Sequence, residues 1–271
     1  RFALHSSADF ATRISGLQRP VMDDLIVFHA VFGKTVPDIS LHAVANLGYA
    51  EGRFLAPVET GDTIHSKSEI IGLKENSNGK TGIVWLRTTG YNGAATPVLT
   101  YVRWVMVRKR HADSAAPDPV VPELASSVSA SDLRVPDGLD WRHYDFTKAG
   151  EPHRWGNYEV GEIIDHVDGV TLTEAEHMMA TRLWQNTAKV HFDATARADG
   201  KRLIYGGHII SLARALSFNG LANAQFIAAI NGGTHAAPAY AGDTVRAWSD
   251  VLDKAETSNS HVGALRLRLV A

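Results

Sequence analysis

The sequence predicts an α+β protein made of two tandem copies of one unit, each a helix laid on an antiparallel sheet. Two observations lead there: a long internal repeat, and within each copy a helical segment followed by long alternating strands. "APVETGDT" (Ala56 to Thr63) returns as "APAYAGDT" (Ala237 to Thr244), 181 positions later, and the offset holds without a gap to Ala271. Across residues 56–90 and 237–271, twelve of 35 positions are identical: Ala56, Pro57, Gly61, Asp62, Thr63, Ser68, Glu75, Ser77, Asn78, Gly82, Leu86 and Arg87. Unrelated segments would share about two. The period is far longer than that of a stacked repeat, so each copy is domain-sized.

The elements follow in order. "DDLIVFHAVFGK" (Asp23 to Lys34) reads as the first helix. A Gly-Asp-Thr turn then follows a proline-bearing strand entry, where proline is tolerated. "TGIVWLRTTGY" (Thr81 to Tyr91) alternates as a strand should, and "TPVLTYVRWVMVRKR" (Thr96 to Arg110) follows it. "SAAPDPVVPELASSVSASDLRVPDG" (Ser114 to Gly138) carries four prolines among serines and alanines, the composition of a linker. The expected boundaries are a first unit over 1–111, a linker over 112–150 and a second unit over 151–271.

The second unit opens with "YEVGEIIDHVDGVTLTEAEHMMATRLWQNT", a strand and then a helix entered through capping boxes, Thr171 with Glu174 and Thr173 with Glu176. Leu172, Ala175, Met179 and Leu183 form its expected buried stripe. In "GGHIISLARALSF" (Gly206 to Phe218), Ile209, Leu212, Ala213 and Leu216 share one helical face, and Asn219-Gly220 supplies the stop. "VGALRLRLVA" (Val262 to Ala271) alternates as the last strand. Subtracting 181 from the opening strand and helix of the second copy places their counterparts before Arg1, and Thr96 to Arg110 has no counterpart in the second copy. Both ends of the fold are therefore expected to be truncated. A helix wrapped by an antiparallel sheet is the hot-dog arrangement; its tandem duplication is a double hot dog.

Composition narrows the function. With 271 residues, 45% of them hydrophobic and 21% charged, the chain has the make-up of a soluble globular protein. A net charge of -2 offers no basic field for nucleic acid or an anionic membrane. No apolar run approaches the roughly 20 residues that span a bilayer, and the cytoplasm is the default location. The absence of cysteine excludes disulfides, thiolate metal sites and cysteine nucleophiles. The remaining histidines are too scattered to form a metal site, and no cofactor is expected.

The polar cluster in "WQNTAKVHFD" (Trp184 to Asp193) lies between the two helices of the second copy. Alone, His191 there reads as a loop histidine and Asn186 as a helix-end cap. The placement resembles that of MaoC-type hot-dog hydratases, which carry D-x-N-P-x-H before a glycine-led central helix. His191 matches the motif histidine, Asn186 takes the aspartate position, and Ala188 and Lys189 replace the motif's Asn and Pro. "IYGGHIISLA" (Ile204 to Ala213) matches the glycine segment, with Gly207 at the key place. A narrower resemblance covers nearly the whole chain. "VFGKTVPDISLHAVANLGYAEGRF", "RWVMVRKR", "YEVGEIIDHVDGVT", "QNTAKVHF" and "YGGHIISLARALSFNGLANA" are similar to the mesaconyl-CoA hydratase family, also called β-methylmalyl-CoA dehydratases.

That resemblance implies reversible addition of water to a branched, carboxylate-bearing enoyl-CoA in C5-dicarboxylate metabolism. His191 would position and deprotonate water, since its ordinary pKa lies near neutrality. Asn186 would orient the water or the histidine. The Gly207 N–H, aided by the helix dipole, would hold the thioester oxygen as enolate charge develops, and Gly206 would let the acyl group approach the backbone. Lys189, Tyr205 and His208 complete the expected substrate-binding set, with Lys189 reading the substrate carboxylate. In the first copy Asp24 falls opposite Gly207, where a carboxylate would repel an enolate oxygen, so that copy is expected to supply only a wall of the cleft. His235 reads as a turn residue, and Arg108, Lys109 and Arg110 as a solvated strand end. A homo-oligomer is expected. Two other readings stay open: a hot-dog thioesterase, which would release free thiol, and a non-catalytic acyl-CoA-binding protein, which would turn over nothing.

Overall fold

A computed structural model describes residues 2–41, 43–111 and 113–271. Arg1 and Ala112, which open the expected first unit and linker, lie outside the described residues. The chain runs α1 (Ala3–Ser6), α2 (Asp24–Thr35), β1 (Ala43–Phe54), β2 (His65–Glu75), β3 (Thr81–Tyr91) and β4 (Pro97–Arg108). After the linker come β5 (Ile163–Thr171), α3 (Glu174–Leu183), α4 (Gly206–Leu216), β6 (Ala229–Gly233), β7 (Thr244–Glu256) and β8 (Gly263–Val270). Two antiparallel sheets result, one in the order β2-β3-β4-β1-β6 and one in the order β5-β7-β8.

Each sheet carries its own central helix. Leu25, Phe28, Val31, Phe32 and Val36 of α2 and the turn after it pack on Tyr49, Leu99 and Tyr101 of the larger sheet. Leu216 of α4, with Leu172 and Ile204, packs on Val245 and Ala247 of the smaller one. Burying these faces is what makes the helices stable, because isolated helices of this length are marginal in water. The two units are joined through β1 and β6, which pair antiparallel with Tyr49 opposite Gly233 and Gly52 opposite Ile230. Shifting either pair by the repeat offset produces the other, so a pseudo-twofold axis passes between these strands. The shared turn repeats in detail: the Asp62 carboxylate accepts from the Glu59 N–H (2.9 Å), and the Asp243 carboxylate from the Tyr240 N–H (2.8 Å).

Two local expectations change. Helix α3 is capped by Thr173, whose hydroxyl accepts from the Glu176 N–H at 3.3 Å, but its inward face carries His177 and Thr181. Met179 is 70% exposed and Leu183 65%. Residues 177 and 179 point about 200° apart on a helix, so burial of His177 forces Met179 outward. Helix α4 ends at Leu216, three residues before Asn219, with Gly220 left-handed at φ 92° just beyond. The first residues pack on the linker and on the second unit rather than on the first sheet: Leu4 and Ala11 cluster with Leu139, and the Phe2 ring meets Phe218 at 5.5 Å.

Candidate active site

The segment after α3 turns through Gln185, left-handed at φ 56°. The Asn186 N–H then donates to the Thr181 carbonyl (3.0 Å), and its side-chain oxygen accepts from the Ala188 N–H (3.0 Å). With the amide carbonyl engaged, Nδ2 is the group that Asn186 offers. A single 3-10 turn, Lys189–His191, places the imidazole. Its Nδ1 lies 2.9 Å from the Leu203 carbonyl, which has no proton to give, so Nδ1–H is the donor and Nε2 keeps its lone pair. Burial lowers the His191 pKa from its ordinary value, opposed by the Leu203 bond and reinforced by the His177 and His235 rings. The ring is therefore neutral near pH 7, as a general base must be. Leu203, not Asn186, orients it. Asp193 accepts from the Thr195 N–H and hydroxyl and caps the next turn, leaving His191 alone.

Helix α4 starts without a side-chain cap. Gly206 and Gly207 occupy its first turn, where N–H groups have no partner within the helix, and no acceptor for either is found among the described residues. Glycine is needed at both places for steric reasons. A Cβ on Gly206 would lie 2.5 Å from Cε1 of His235, and one on Gly207 would lie 2.4 Å from Cζ of Tyr205. The space over Gly206 is thus taken by the His235 ring, not opened directly to an acyl group as expected. Tyr205 and α4 are tied to the first unit through His29: the Tyr205 hydroxyl lies 3.2 Å from Nδ1 and Ser211 Oγ 2.7 Å from Nε2. Burial lowers the pKa of His29 to about 4, keeping it neutral.

Asn186, His191, Tyr205 and Gly206 line one large cavity of about 2320 Å³ between the units, together with His235. Gly207 lies buried just behind Gly206. The first unit supplies the opposite wall, including Phe28, Phe32, Tyr49 and Arg103. Two expected substrate contacts are corrected. Lys189 is exposed and outside the lining; at three residues per turn it points about 240° away from His191. His208 turns toward α3, with Nε2 3.4 Å from Glu176, and also lies off the cavity. Helix starts align Asp24 with Gly206 rather than Gly207. His235, read as a turn residue, packs on Tyr49 with ring centroids 5.9 Å apart. Lys109 is held by Glu75 at 2.6 Å rather than left free in solvent.

The profile of the mesaconyl-CoA hydratase family matches residues 4–271. A mesaconyl-CoA hydratase from Cereibacter sphaeroides is 70% identical over all of this chain and 79% of its own length. A β-methylmalyl-CoA dehydratase from Chloroflexus aurantiacus is 57% identical over all of this chain and 78% of its own. Among solved structures, a MaoC domain dehydratase from Chloroflexus aurantiacus superposes with a TM-score of 0.96 at 56% identity, covering 99% of this chain and 78% of that one. A double hot-dog protein from Mycobacterium tuberculosis superposes with a TM-score of 0.74 at 25% identity, covering 99% and 80%. The fold is a double hot dog, and the chain belongs to the mesaconyl-CoA hydratase family.

Proposed function

We infer that this protein reversibly hydrates mesaconyl-C1-CoA to β-methylmalyl-CoA. His191 Nε2 takes a proton from water, whose oxygen bonds to the alkene carbon beside the free carboxylate. The π electrons move toward the thioester oxygen as an enolate. The first-turn N–H groups of α4, Gly207 among them, hold that oxygen with the helix dipole behind them. The imidazolium then returns its proton to the methyl-bearing carbon. Asn186 contributes Nδ2 to position the water. In this reading 151–271 is the catalytic unit, 1–111 the wall of the cleft, and 112–150 the linker.

The observation that most supports this is the pairing of a base-ready His191 Nε2 with an uncapped, glycine-led helix start on one cavity. A homo-oligomer working in the cytoplasm fits the same reading, since exposed Met179 and Leu183 give α3 an apolar outer face suited to a second copy. Incubation with mesaconyl-C1-CoA should remove the conjugated enoyl absorbance and yield a product heavier by one water. Release of free CoA thiol instead would mean thioester hydrolysis, and binding without turnover would make the protein a carrier.

A further inference from the structure

Mesaconyl-C1-CoA carries its free carboxylate at the far end of a trans double bond from the thioester. If the thioester oxygen sits at the start of α4, the counter-charge for that carboxylate belongs across the cavity, on the first unit. Cations near the motif are poorly placed for it. Lys189 and Arg182 are exposed, and Arg202 is paired with Glu174 at 2.9 Å. Arg214 is buried on the cavity but already faces Asp23 and Asp24.

Arg103 is different. It lies in the middle of β4, is 0% exposed, and lines the cavity. Its guanidinium stacks over Phe32 at 4.4 Å and donates to Thr35 Oγ1 (2.8 Å) and Ser40 Oγ (3.1 Å). Nε has no partner, and among the described residues no carboxylate lies within ion-pair distance. Burying a guanidinium without an anion is strongly unfavourable, so Arg103 is suited to receive one. Tyr49 pairs with Arg103 across β1 and β4 and touches His235, the ring that covers Gly206. Arg103 and the start of α4 therefore border one cavity, linked through Tyr49 and His235.

We propose that Arg103 is the receptor for the substrate's free carboxylate and sets the preference for a dicarboxylic acyl group. The proposal rests on the hydratase reading above. The test measures kcat/KM for mesaconyl-C1-CoA and the inhibition constant of 2-methylcrotonyl-CoA, in which a methyl replaces the carboxylate, for wild type, Arg103→Met and Arg103→Lys. Arg103→Met should lower kcat/KM for mesaconyl-C1-CoA roughly a hundredfold or more, while the inhibitor changes by less than about threefold. Its melting temperature should hold or rise, because replacing an unpaired buried charge by an apolar side chain is often stabilising. Arg103→Lys, which keeps the charge on a narrower head, should fall between wild type and Met, and it carries the test if the Met variant does not fold. Equal losses on both ligands, or an unchanged kcat/KM, would overturn the proposal. Wild-type protein inert toward mesaconyl-C1-CoA would instead sink the hydratase reading.

Discussion

Helix α2 begins with Asp23-Asp24 and helix α4 with Tyr205-Gly206-Gly207, at equivalent places in the two units. Asp23 caps its helix by accepting from the Leu25 N–H at 2.9 Å, and Asp24 accepts from the Ile227 N–H at 2.7 Å. Burial, reinforced by the charge of Asp23, raises the Asp24 pKa to about 7 against the pull of that bond and of Arg214. The start of α2 is thus filled by its own carboxyl groups. That of α4 has no side-chain cap and faces the cavity through Gly206. Closed in this way, the first unit can supply packing and a wall without drawing an acyl oxygen to its own helix. The second unit leaves the Gly206 and Gly207 N–H groups without an acceptor among the described residues, as a site that must stabilise a developing negative charge requires.

The sharpest way to break this comparison is His191→Ala. The variant should fold as wild type by circular dichroism and lose hydration by about 10²–10⁴-fold; near wild-type turnover in a folded variant would rule His191 out as the base. The pH profile sharpens the same point. With His191 as the proposed base, activity needs its ring neutral, and burial holds its pKa below the ordinary value of 6.5. Thus the acid limb of kcat/KM should be centred below 6.5, and a limb centred above 6.5 contradicts the assignment.

Next in size is Gly206→Asp, which gives α4 the start of α2. The new side chain collides with His235 and sets a carboxylate beside the developing enolate. A loss of about 10²–10³-fold in kcat is expected, and a variant that retains its rate would show that the α4 start does not hold the thioester oxygen. A smaller effect belongs to Asn186. Alanine there removes Nδ2 and the acceptor for the Ala188 N–H, for a loss of about tenfold; Asn186→Asp keeps the acceptor and should retain part of the activity. An inactive Asp variant beside a fully active Ala variant would remove Asn186 from the mechanism. The smallest effect should come from Lys189→Met, exposed and off the cavity. Its kcat/KM for mesaconyl-C1-CoA should stay within about twofold, as for most exposed substitutions, and a selective loss on this substrate would return Lys189 to the carboxylate site.

Much of the molecule is legible in its sequence alone, because most of the features concerned are local. The repeat is a property of the sequence itself, and the Thr173 cap, the paired Asp62 and Asp243 turns and the β3 boundaries depend on neighbours a few residues away, which periodicity and turn chemistry report directly. His191 and the glycine pair could be read from spacing and resemblance. Tertiary structure decided the rest. Which face of α3 goes inward depends on what lies beneath it, and His177 and Thr181 take that place although Met179 and Leu183 are the more apolar. The direction of Lys189 follows from a 3-10 turn that composition does not announce. Residues from the two units meet across long separations, as in the bond between His29 and Tyr205, 176 positions apart. Arg103 left one trace in the sequence, a lone charge inside "TYVRWVMV". Only the packing of α2 and β1 around it shows that the charge is buried at the edge of the cavity with no carboxylate partner among the described residues, because desolvation is a property of the assembled surroundings and not of the residue.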